Sequence, residues 1–134
     1  MLIIERKYQL MLYFGFALAV SMLPEGQFSN TVISSAQATD EISRAGEGLG
    51  ICLNPSHKET IFAMEQRFGI HVPIPAAPAK VKLQRGDSLL VMGVVGLPRL
   101  SDPKRGEALV SSPGEYTREE IDSASFSFNL ITAL

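Results

Sequence analysis

Two runs of this chain, residues 10–20 and 88–95, are so nearly free of polar side chains that each needs cover on both faces. Strands of that composition belong inside a sheet flanked by helices, because doubly covered strands read as continuous apolar runs and not as alternating ones. Leu12, Tyr13, Phe14, Phe16, Leu18 and Val20 supply the first. Two further segments alternate instead. Residues 28–34 do so, and so do Phe126, Phe128 and Leu130 with Ser127 and Asn129 between them, which predicts strands with one buried face.

Helices fit between these strands. Residues 39–45 read as a short helix closed by Gly46. Ser56 and Glu59 have capping-box spacing, and Ile61, Phe62, Met64 and Phe68 follow as an apolar stripe, with Gly69 at the left-handed C-cap position. Thr117 and Glu120 repeat that spacing and open a helix through residue 124. The prolines at 73, 75 and 78 force an extended connector, after which residues 80–84 alternate with Val81 and Leu83 inward. Arg85-Gly86-Asp87 is a turn, which explains that triplet without a partner. Residues 97–113, with three prolines, form a long loop. The expected fold is α/β (mixed α+β), a single domain with a mixed sheet of about five strands and the two apolar runs near its centre.

The first apolar run follows Arg6 and Lys7, as in a signal peptide. It is too short to span a bilayer, which takes roughly 20 apolar residues. The small-residue triplet Ala36-Gln37-Ala38 lies too far beyond it for processing. A strand in a cytoplasmic, non-membrane protein is therefore expected, with export behind an N-terminal signal as the alternative.

At 134 residues, 46% hydrophobic and 19% charged, the chain can bury a core. A net charge of −2 and a pI near 5.7 argue against a duplex nucleic-acid binder, which would carry a basic face. A single cysteine, Cys52, excludes an internal disulfide and a thiol-rich zinc site, and it reads as a small buried hydrophobe. Gly46-Glu47-Gly48-Leu49-Gly50 lacks the spacing of a dinucleotide loop and reads as a flexible loop. No zincin, C-x-x-C, G-x-S-x-G or P-loop motif is present. No cofactor and no metal is expected.

What remains is histidine chemistry. His57 falls in the opening turn of the Ser56 helix, where free N–H groups and the helix dipole favour phosphate or carboxylate, so a proton donor would stand beside an anion site. A solvated first-turn histidine is the bland alternative. His71 follows the helix exit and is expected at the surface. Lys58, Lys80, Lys82 and Arg85 could form a basic rim or simply be solvated charges.

The order of these parts resembles the viral ring nucleases of type III anti-CRISPR systems, small proteins of archaeal viruses, phages and mobile elements. The landmarks are the Ser56-His57-Lys58-Glu59-Thr60 helix start, the Gly69-Ile70-His71-Val72-Pro73 exit, the Arg85-Gly86-Asp87 turn into an apolar strand, and Leu97-Pro98. The resemblance runs from Met11, leaving residues 1–10 as an extension and 11–134 as the domain. It implies a homodimer whose shared groove binds cyclic tetra-adenylate and cuts it without metal. A ribose 2′-OH attacks phosphorus, a histidine protonates the 5′ leaving oxygen and a cation stabilises the phosphorane. His57 matches the family histidine. The family's R-L-P-E-G run stands here as Gly96-Leu97-Pro98-Arg99-Leu100, so Arg99 is the candidate cation, and Phe16 occupies the place of a ligand-contacting asparagine. The implied site is His57 and Arg99 as catalytic residues, with Ser56, Lys58 and Phe16 contacting ligand. The alternative is an inactive interaction or ligand-sequestering protein of a virus or mobile element.

Overall fold

The computed structural model describes residues 10–23, 25–77, 81–99 and 116–134. Five strands form one mixed sheet: β1 (Leu12–Gly15), β2 (Phe28–Ile33), β3 (Gly50–Cys52), β4 (Ser88–Val95) and β5 (Ser125–Ala133). Three helices accompany them: α1 (Ser35–Ala45), α2 (Lys58–Phe68) and α3 (Arg118–Ser123). The strand order is β2-β5-β4-β1-β3. β1 lies parallel to β3 on one side and to β4 on the other, while β5 runs antiparallel to both β4 and β2. The expected α+β domain with a five-stranded mixed sheet is what the chain adopts.

Register sorts the side chains to two faces. Phe14 pairs with Leu90, Leu90 with Leu130 and Met92 with Phe128, and this face packs on Ala38 of α1 and Ile61 and Met64 of α2. Tyr13, Leu89, Ile131 and Ala133 point the other way, where Met22 and Leu83 cover them. That second cover is not helical. A 3-10 turn at Val20–Met22 and the segment around Leu83 provide it, tied by the Leu83 N–H donating to the Met22 carbonyl at 2.7 Å. The double burial expected of β4 thus holds for Leu89, Leu90 and Met92, but Val95 at its end is 76% exposed.

The structure corrects several expected boundaries. β1 is only four residues long, since the chain bends at Phe16 and exposes Ala17, Leu18 and Ala19. Apolar composition alone overstated the length of this strand. α1 begins four residues earlier than 39, because Ser34 and Gln37 form a capping box in which the Gln37 N–H donates to Ser34 Oγ at 3.1 Å. Residues 81–84 keep Leu83 inward and Lys82 outward without forming a strand. The turn before β4 is held by Asp87, a buried carboxylate that accepts the N–H of Met11 at 3.1 Å and of Gln84 at 2.9 Å. Gly86 there has φ of 90°, a conformation that favours glycine. Among the described residues no helix is long and apolar enough to cross a membrane. Residues 1–9, Lys80 and most of the 97–113 loop lie outside the described residues.

Candidate functional site

Because β1, β3 and β4 are parallel, their carboxyl ends share one edge of the sheet. In open α/β sheets, ligands settle in the crevice outside that edge. Phe16 follows β1, Asn54 to His57 follow β3, and Gly96 to Arg99 follow β4. Four of the sequence-predicted site residues therefore reach this edge from three different strands.

The turn carrying His57 forms as its sequence dictates, but not with the expected cap. Pro55 pushes the residue before it into extended backbone, and Asn54 has φ −134° and ψ 154°. From there the Asn54 carboxamide oxygen accepts the Ser56 N–H at 2.8 Å and the Ser56 hydroxyl as well. A 3-10 turn, Pro55–His57, results, and α2 starts only at Lys58. In the expected box Ser56 is the cap and Glu59 its partner. In the structure Asn54 caps, and His57 reciprocates by accepting the Asn54 backbone N–H on Nδ1 at 3.3 Å. The far end of α2 closes as expected, with Gly69 left-handed at φ 69°.

The His57 ring is held from a second side. Its centroid lies 5.4 Å from that of Phe16, with the planes at 53°, and Phe16 in turn meets Phe14 edge-on at 5.7 Å. His57 is half-buried by these contacts. Lys58, the first residue of α2, is exposed.

Ser56 and Arg99 share a cleft that His57 and Phe16 do not line. This cleft, of ≈ 570 Å³, is lined as well by Glu59, Thr60, Val94, Gly96, Leu97, Pro98 and Tyr116. The wall bearing Arg99 is fixed by Tyr116, whose hydroxyl donates to the Pro98 carbonyl at 2.8 Å. Tyr116 is itself clamped to α2: its N–H donates to Gln66 Oε1 at 3.1 Å, and Gln66 Nε2 donates to its carbonyl at 2.9 Å. Four of the five predicted residues thus form two neighbouring groups, Phe16 with His57 and Ser56 with Arg99, joined through the Ser56–His57 peptide.

The other candidate residues lie elsewhere. Lys82 and Arg85 precede β4, whereas Arg99 follows it, and an eight-residue strand separates them by about 25 Å. Within one chain Lys82 and Arg85 therefore do not join Arg99 at this edge. His71 is at the surface as expected, its side chain 80% exposed and Nδ1 3.8 Å from Glu65. Cys52 ends β3 half-buried, and burial pushes its thiol up from the ordinary 9.0, which disfavours the thiolate that a nucleophile needs. A larger cleft of ≈ 640 Å³ lies between the C-terminal ends of α1 and α2, lined by Ile42, Leu49, Ile51 and Ile70 among others. It holds none of the five predicted residues, and His71 and Glu47 are among those that line it. Sequence reasoning missed Asn54 and Tyr116, although the Asn54-Pro55 dipeptide is a turn signal that could have found the first.

Comparison with known proteins bears on the fold. No family model matches the chain, and no curated protein matches it. Among solved structures it is similar to B116 of Sulfolobus turreted icosahedral virus, with a TM-score of 0.65 and 16% sequence identity over 91% of this chain and 98% of that one. At that identity the likeness shows a shared fold, and the neighbour is a viral protein.

Proposed function

We propose that this chain is a ring nuclease-like phosphodiesterase of a virus or mobile element, which binds cyclic tetra-adenylate and opens it in the host cytoplasm, countering type III CRISPR signalling. The observation that carries this reading is the seated imidazole of His57 at the carboxyl edge of three parallel strands, beside a cleft bearing Arg99. The fold likeness to a virus protein agrees with the viral source of the family that the sequence resembles. A second copy of the chain would complete the groove, as the resemblance implies.

In this reading the 2′ oxygen of a ribose bonds to the adjacent phosphorus as the bond from phosphorus to the 5′ oxygen breaks. The His57 Nε2–H donates a hydrogen bond to that leaving oxygen as negative charge builds on it, and the proton lost by the 2′-OH reaches the oxygen through solvent. Arg99 stabilises the charge that builds on the phosphorane. Lys58 contacts phosphate, Ser56 lines the cleft with its hydroxyl held by Asn54, and Phe16 offers a ring on which adenine can stack. Two such cuts give two linear di-adenylates, each ending in a 2′,3′-cyclic phosphate.

Gly96 where the family has arginine favours a second reading, a protein that holds the messenger without cutting it. One assay separates the two. Incubation with cyclic tetra-adenylate and EDTA should yield linear di-adenylate, with His57→Ala inactive. Binding without turnover would establish the sequestering protein, and no binding of any cyclic oligonucleotide would refute both.

A further inference from the structure

We infer that Asn54 is the positioning residue for His57, fixing its imidazole as the tautomer that carries hydrogen on Nε2. The resemblance supplies a histidine but says nothing of what holds its ring. A backbone N–H can only donate, so the nitrogen facing the Asn54 N–H at 3.3 Å, Nδ1, presents its lone pair. A neutral imidazole has one hydrogen to place, and it goes to Nε2.

The bond depends on the Asn54 side chain. Its carboxamide gathers the Ser56 N–H at 2.8 Å and the Ser56 hydroxyl, which closes the turn and lays the His57 ring back over the Asn54 N–H. Pro55 sets the extended backbone from which this is possible. The Phe16 ring is all carbon and competes for neither nitrogen, so it fixes the ring plane, and Asn54 fixes which nitrogen donates. The consequence is a division of roles: His57 presents a donor and not a base from Nε2. Its bearing on turnover rests on the reading above, whereas the tautomer does not.

The test is a long-range proton–nitrogen correlation spectrum of the full chain labelled at histidine nitrogen, recorded where both histidines are neutral. The same chain unfolded in urea serves as the reference for an averaging ring, since His71 has Glu65 3.8 Å from its Nδ1. We expect His57 as a single tautomer with bare Nδ1 and protonated Nε2. Asn54→Gly, the mildest loss at a cap position, should move it toward the averaged pattern of the unfolded chain, and Asn54→Asp should retain it. Turnover of cyclic tetra-adenylate should fall on the order of tenfold in kcat with KM unchanged in Asn54→Gly, the rate equivalent of one orienting hydrogen bond. A wild-type His57 protonated on Nδ1 or averaged would overturn the inference, as would an Asn54→Gly protein that keeps the single Nε2–H tautomer. Should Asn54→Gly fail to fold, Asn54→Asp and Asn54→Ser retain an acceptor and decide, because loss of the single tautomer in both would overturn it. A correct tautomer in a protein that neither binds nor cuts the messenger would refute the catalytic reading alone.

Discussion

The ring of Phe16 lies against the imidazole of His57 with centroids 5.4 Å apart and planes tilted at 53°. The two residues come from the ends of different parallel strands, so their contact joins β1 to the turn after β3 at the candidate site. An aromatic pair of this kind contributes about 0.5–1.5 kcal/mol beyond the area it buries. Phe16 is half-buried, so Phe16→Ala should destabilise by about 2 kcal/mol, below the roughly 3–5 typical of a fully buried phenylalanine. Urea unfolding checks the magnitude, and a loss under about 0.5 kcal/mol, the lower bound for such a pair, would mean that the contact is incidental.

Asp87 anchors the start of β4. Its two carboxylate oxygens each accept a backbone N–H, from Met11 and from Gln84, and the residue is only 5% exposed. Asp87→Ala strands both donors and should cost about 3 kcal/mol, since a buried donor left without a partner costs about 1–3 kcal/mol. Asp87→Asn keeps one acceptor, so its stability should fall between those of wild type and Asp87→Ala. Equal stability of the Asp87→Asn and Asp87→Ala proteins in urea unfolding would show that the two bonds do not contribute separately.

The N-terminal run has opposite consequences under its two readings. β1 stands between β4 and β3 and carries Phe14, which is fully buried. Residues 39–134 alone lack β1 and β2 and leave β3 without its strand partner. Each large core side chain removed forfeits about 1.5–3 kcal/mol, against a total stability of about 5–15 kcal/mol. We expect this fragment to show no cooperative melting transition by calorimetry. A monodisperse, cooperatively melting fragment would instead support an exported, cleaved leader.

Cys52 gives a pH dependence with a definite sign. Burial raises its thiol above 9.0, so the folded chain holds this proton more tightly than the unfolded chain does. The resulting stability is fully present below pH 9.0 and is lost as pH rises through the folded value. Because the thiolate is the reactive form, alkylation of native Cys52 at about pH 8, just below the ordinary thiol range, should be slower than in the urea-unfolded chain. An equal or faster native rate would show an activated cysteine.

The sequence carried the periodic elements better than their ends or their cover. β4, β5 and the Thr117 capping box were legible because an apolar run, alternation and cap spacing are all local. The limits of β1 were not, because the bend at Phe16, whose ring packs on Phe14 and His57, leaves no mark in hydropathy. α1 was read four residues short although Ser34 and Gln37 carried its cap. At the site, histidine and arginine were legible as chemistry. The clamp of Tyr116 on Gln66 and Pro98 spans long sequence separations and could be seen only in the fold.

The cyclic nucleotide is proposed to bind at the carboxyl edge of the parallel strands and at no other described surface. The most direct measurement is a titration of the nitrogen-labelled full chain with cyclic tetra-adenylate, following backbone amide shifts. Saturable shifts are expected to centre on Phe16, on Asn54 to Lys58 and on Gly96 to Arg99, with little change around Ile42 and Ile70. Shifts confined to the cleft between α1 and α2, or none at all, would contradict binding at this edge.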